Sequence, residues 1–171
     1  MSSIHSCIAL QVEQMFLGEN DRVKLMLLYS GDEEDARIVR AASGCLAMLS
    51  NNVEVCQKIT TVSMSLFNTL LRDARVNFRA VFVLQCSEQW QKILTQLAAC
   101  EHIELQHRGV YIIHNLMCAS KEIAAQIVAS AMLEVLMALS RLEDVERSEV
   151  RRIAESALDK AVEWELIKPN K

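Results

Sequence analysis

Apolar residues recur at spacings of three and four through most of the chain, and breaks in that rhythm cut it into short helices. Residues 4–16 read as a weakly amphipathic first helix, stopped by Gly18. Residues 22–29 (RVKLMLLY) read as a second, ended by Ser30-Gly31, where glycine suits a left-handed cap. Asp32 is then expected to cap a third helix, with Glu33, Glu34 and Asp35 at its positive end, running to Ser50 before Asn51-Asn52. Further segments are expected over residues 53–62, 63–72, 76–86, 88–100, 105–118, 122–130 (capped by Ser120), 132–142 and 148–166, with Pro169 closing the structured part.

The segments resemble one another. Superposing Leu49, Leu84 and Leu116 aligns RAASGCLAML, RVNFRAVFVL and RGVYIIHNLM on one apolar stripe, at spacings of 35 and 32 residues, and Leu158 follows 42 later. Such periods fit armadillo or HEAT-type repeats, somewhat short in the middle. The expectation is an all-α fold, an α-solenoid of armadillo/HEAT-like helical repeats, with a compact helical bundle as the alternative. Residues 1–20 form an N-terminal helix of uncertain origin, 21–168 the repeats and 169–171 a tail.

Composition agrees with helices and removes other classes. Of 171 residues, 51% are hydrophobic, and only four glycines and one proline are present, too few for a hairpin-rich fold. A net charge of −4 gives no electrostatic footprint for nucleic acid. No apolar run approaches the roughly 20 residues of a membrane span, and the N-terminus lacks a basic signal-peptide region. Six cysteines without a CxxC pair read as reduced core residues of an intracellular, cytoplasmic protein.

No catalytic constellation emerges. Glycines are too scattered for a phosphate loop, and Cys100, His102 and His107 fall short of the roughly four convergent ligands of a zinc site. Cys45 and Cys118 lie among apolar helical residues, where an activated thiolate is not expected. The chain is expected to be no enzyme and to need no cofactor or metal.

A solenoid instead binds partners along its concave face. Leu105, Gly109, Ile112, Ile113 and Leu116 mark the buried side of their helix, while Arg108, Tyr111 and Asn115 project from another. Asn115 offers an amide to an extended peptide, or else caps a neighbouring helix or meets water. The aligned positions are Val76, Arg79 and Val83 in the middle repeat and Ala41, Gly44 and Met48 in the first. The expected groove, with Arg79, Arg108, Tyr111, Asn115 and Met48 as its contacts, is part apolar and part basic, extended by Arg37 and Arg40. Each contact there contributes about 1 kcal/mol, so affinity sums over many repeats.

The runs DRVKLMLLYSGD and RAASGCLAML, the stretch QHRGVYIIHNL and the ending WELIKPNK resemble the C-terminal part of the UCS domain of the uncoordinated-forty-five class of myosin co-chaperones. The resemblance spans about residues 21–169. It implies a cytosolic armadillo-repeat module that helps fold and protect the myosin motor domain and serves thick-filament assembly. It also implies Arg108, Tyr111 and Asn115 as groove residues and no ATP site. Family members reach the heat-shock chaperone through a tetratricopeptide domain, and no such repeat occurs in this chain. The alternative is a generic armadillo scaffold for a linear peptide of another partner. A solenoid opened on its N-terminal side is expected to self-associate or to be marginally stable.

Overall fold

A computed structural model of the chain describes residues 22–31, 35–60 and 89–168. Among the described residues the helices are α1 (Arg22–Ser30), α2 (Ala36–Leu49), α3 (Val53–Thr60), α4 (Gln89–Ala98), α5 (Ile103–Ala119), α6 (Lys121–Val128), α7 (Ala131–Leu139) and α8 (Ser148–Glu163), with a 3-10 turn at Val145–Arg147. The expected segments over 4–16, 63–72 and 76–86 lie outside the described residues.

Short polar side chains start the helices. Asp35, Asn52, Ser120 and Ser130 each accept from a backbone N–H of the turn that follows, at 2.8 to 3.2 Å, which satisfies donors that have no partner within the helix. The cap of α2 is therefore Asp35, not Asp32 as expected. Gly31 does not take the left-handed conformation either. Its value is space, because a Cβ there would lie 2.8 Å from Ile93.

The helices build two rows. Long helices α2, α5 and α8 lie side by side, α5 touching both of the others. Helices α1, α4 and α7 form the second row, each packed beneath the long helix of its own repeat. Short α3 and α6 bridge from one repeat to the next. This is the α-solenoid of armadillo-like repeats.

The burial register makes the repeat explicit. Val39, Ala42, Ser43 and Leu46 of α2 are buried, as are Gln106, Gly109, Val110 and Ile113 of α5 and Val150, Ile153, Ala154 and Ala157 of α8. Leu49 and Leu116 correspond, as the sequence suggested. Leu158 does not: it is half-buried and falls opposite His114 rather than Leu116. Helix α2 packs directly on α5, and the middle repeat expected around Leu84 lies outside the described residues.

Helix α5 is the centre of the packing. Ile112, Ile113, Leu116 and Met117 are fully buried, each contributing about 1.5–3 kcal/mol relative to exposure. A Cβ on Gly109 would lie 2.6 Å from the backbone nitrogen of Ala98, so α5 meets the end of α4 where only glycine fits.

Gly109→Ala is expected to destabilise the chain by about 1–3 kcal/mol in urea unfolding, because a backbone cannot step aside. Gly44→Ala meets only the flexible guanidinium of Arg108, at 3.1 Å. It should stay within about 1 kcal/mol of wild type.

Candidate partner-binding surface

On α5, residues three and four apart share a face, and burial of Gly109, Ile112 and Leu116 leaves Glu104, Arg108, Tyr111, Asn115 and Cys118 on the outer side. The flank next to α2 carries Arg108 and Asn115. That next to α8 carries His107 and His114.

Arg108 lies across Gly44, donates to the carbonyl of Arg40 and pairs with Glu104. Glu104 also reaches Arg40 at 3.5 Å, and Arg40 Nη2 is 3.1 Å from His102 Nε2. Arg37 pairs with Asp35 at 3.0 Å and holds that carboxyl below the usual carboxylate range. The basic character expected of the groove is thus met by carboxylates at Arg37, Arg40 and Arg108, the groove arginines among the described residues.

Tyr111 and Asn115 both tie α5 to the end of α2. The Tyr111 hydroxyl donates to Asn51 Oδ1 at 2.8 Å, and Asn51 Nδ2 donates to the carbonyl of Met48 at 2.9 Å. Asn115 Nδ2 donates to Ser50 Oγ at 2.9 Å, and Ser50 Oγ donates to the carbonyl of Ala47 at 2.8 Å. These carbonyls belong to the last turn of α2, where no helical partner exists.

The chain of bonds continues across α5. His114 Nδ1 is 3.4 Å from Asn115 Oδ1, and His114 Nε2 is 3.0 Å from Ser156 Oγ on α8. Since Asn115 Oδ1 can only accept, Nδ1 is the donor of that pair, and Ser156 Oγ, able to donate or accept, faces Nε2. The rings of His107 and Tyr111 lie nearly parallel, 6.3 Å apart.

Among the described residues Asn115 keeps one N–H and one lone pair unused, since its side chain makes one bond through each end. Met48 occupies the corresponding place on α2 and is 77% exposed. Arg108, Tyr111, Asn115 and Met48 are therefore brought to one surface, while Arg79 lies outside the described residues. Sequence reasoning missed Ser50, Asn51, Glu104 and His114, and weighed His107 only as a zinc ligand. The run Ser50-Asn51-Asn52 reads only as a helix stop until the facing helix is known.

Cys118 Sγ lies 3.8 Å from His114 Nε2. Burial pushes that thiol up, opposed by Lys160, and burial raises Cys45 as well. Buried Cys56 is pushed up to about 12, with Cys118 adding to the effect. These thiols stay protonated at neutral pH, the reverse of an activated nucleophile. Among the described residues no group of three or more His, Cys, Asp and Glu could hold a metal. Among the same residues no single helix is long and apolar enough to cross a membrane.

No family model matches the chain. Individual proteins do. Protein unc-45 homolog B from Xenopus tropicalis is 34% identical over 161 residues, which is 92% of this chain and 15% of that protein. The Homo sapiens homolog B is 32% identical over 162 residues, again 15% of its length. The solved UNC-45 from Drosophila melanogaster matches with a TM-score of 0.67 at 31% identity, over 92% of this chain and 17% of that one. A second structure, of an UNC-45 chaperone that binds and folds muscle myosin, gives a TM-score of 0.67 at 23% identity over 90% of this chain and 14% of that one, a likeness of fold.

The chain is an armadillo-like helical module with an exposed polar stripe across adjacent long helices. It is homologous to the UCS region of the UNC-45 proteins and spans about 15% of the length of the curated relatives it matches.

Alkylation of Cys118 by iodoacetamide, followed by mass spectrometry, should be slower at neutral pH than that of a free cysteine and should climb only as the pH passes the ordinary thiol range. His114→Ala should leave the neutral-pH rate nearly unchanged. A labelling plateau already reached under mildly acidic conditions would instead reveal an activated pair.

Proposed function

We propose that this chain acts without catalysis as a segment of a cytoplasmic myosin chaperone, holding the myosin motor domain while it folds and enters thick filaments. The homology to UNC-45 supports this reading, as does the myosin-folding activity of an UNC-45 chaperone with the same fold. Recruitment of the heat-shock chaperone belongs, in this reading, to a tetratricopeptide domain and not to these armadillo-like repeats.

The observation that carries the proposal is the Met48–Tyr111–Asn115 surface. A partly folded client exposes apolar side chains and unpaired backbone groups together. Met48 offers a flexible apolar contact, Tyr111 and His107 offer stacked rings, and Asn115 keeps a donor and an acceptor unused among the described residues. Tyr111 and Asn115 are fixed by bonds to the end of α2, so little of their side-chain entropy is lost on binding. The surface covers only adjacent repeats, and a single segment of this size binds weakly.

Capture of isolated myosin heads and suppression of their thermal aggregation test the proposal. Tyr111→Ala with Asn115→Ala should lower capture at least about tenfold. Because both residues also hold α2, Met48→Glu serves as a second variant that disturbs no packing, and it should weaken capture several-fold with unchanged melting. Capture that survives both variants would overturn the surface. Wild type that neither captures heads nor delays their aggregation would overturn the function.

A further inference from the structure

Helix α8 sets Glu155, Leu158, Asp159 and Val162 along one face, at the spacing of a continuous helical stripe. Leu133 and Met137, one turn apart on α7, form the facing wall. Between them lies a cleft of about 390 Å³, within the range of pockets that take ligand or side-chain groups. After Glu163 the chain reverses through Glu165, a non-glycine residue at φ 60°. There Glu165 N–H donates to Val162 and Leu166 N–H to Ala161, the paired bonds of a Schellman cap. That reversal brings Ile167 and Lys168 onto the cleft.

The repeat register indicates what shape fits. Leu158 is the counterpart of His114, and α7 that of α4. One repeat earlier, the same flank is filled by a helix: His114 meets Ser156 of α8, and α4 packs on α7. The α7–α8 cleft, open among the described residues, thus repeats a surface on which the chain itself rests helices.

We propose that this cleft is a docking site for a basic amphipathic helix of another polypeptide. Its apolar floor takes side chains one turn apart, the helix-in-groove mode of recognition. Its charge selects the sign of the flank. Asp159 makes no ion pair among the described residues, and Glu155 has only Arg151 at 3.8 Å, both largely exposed. Lys168 is the opposing cation on the rim. Lysine or arginine beside the apolar stripe meets the two carboxylates of α8, whereas an acidic flank meets repulsion.

Fluorescence anisotropy of the full chain with two labelled alanine-based peptides of about 20 residues tests this. Both carry leucines at i, i+4 and i+7, one flanked by lysines and the other by glutamates. The lysine peptide should bind saturably and more tightly. Asp159→Lys, at an exposed helical position, should weaken the lysine peptide about tenfold and strengthen the glutamate peptide. Equal affinity for the two peptides, or indifference to Asp159→Lys, would overturn the proposal. So would a concentration-dependent dimer in sedimentation velocity that Asp159→Lys dissolves, since the cleft would then belong to a second copy.

Discussion

Helix α5 has a neighbour on each flank and a third beneath it, and Gly109 sets how near that third can come. Its missing Cβ lets the backbone of α5 approach the end of α4, while α2 and α8 close in from the sides. With Val110, Ile112, Ile113, Leu116 and Met117 fully buried, only a narrow outer arc remains for anything else. The position and width of the exposed surface follow from that enclosure. Widening the α4–α5 contact would move Tyr111 and Asn115 away from α2 and dissolve the surface they define.

A second requirement comes with short helices. Each ends in carbonyls that lack helical partners, and in a stacked array many such ends are shielded from water. The chain answers with long polar side chains sent from one element to the end of another. Gln106 donates to the carbonyl of Ala98, Trp164 to that of Met117, Arg151 to that of Leu142 and Arg147 to that of Glu101. Asn115 and Tyr111 do the same for α2 through Ser50 and Asn51. Each bond contributes only about 1 kcal/mol, yet together they fix the angle between repeats. Stability and presentation of the surface are therefore carried by the same residues.

The fold was largely legible because helix periodicity survives tertiary context. The buried side of α5 and the correspondence of Leu49 with Leu116 could be read from spacing alone. The cap of α2 was misplaced because four acidic residues in a row offer equivalent side chains, and only the backbone at Asp35 decides among them. Leu158 was assigned by hydrophobicity, whereas the place it was matched to is occupied in α8 by Lys160, which reaches out to Glu163 and lies over the Trp164 ring. The stripe of Arg108, Tyr111 and Asn115 was found by helical geometry. Its attachment to α2 was raised only as an alternative for Asn115 and without a partner, since Ser50 and Asn51 are far away in sequence and their partners depend on the angle between repeats. Glu104 was missed for a similar reason: neutralising Arg40 and Arg108 together requires two helices to be side by side.

The exchange of His114 in α5 for Leu158 in α8 carries the argument further. A histidine on a helix flank needs a partner at a defined distance and direction, and it has one in Ser156 because α8 is held in place by the repeat beneath. A leucine needs only apolar contact, which is indifferent to direction and tolerant of small changes in angle. Polar side chains therefore mark flanks whose neighbour is fixed by the same chain, and apolar ones mark flanks able to receive a neighbour whose position is not preset. Asp159, the counterpart of Asn115, replaces an amide already bound to the preceding helix with a charge that has no ion-pair partner among the described residues. In this array the departures from register mark the flank of α8 whose chemistry differs from the flank of α5 that it repeats.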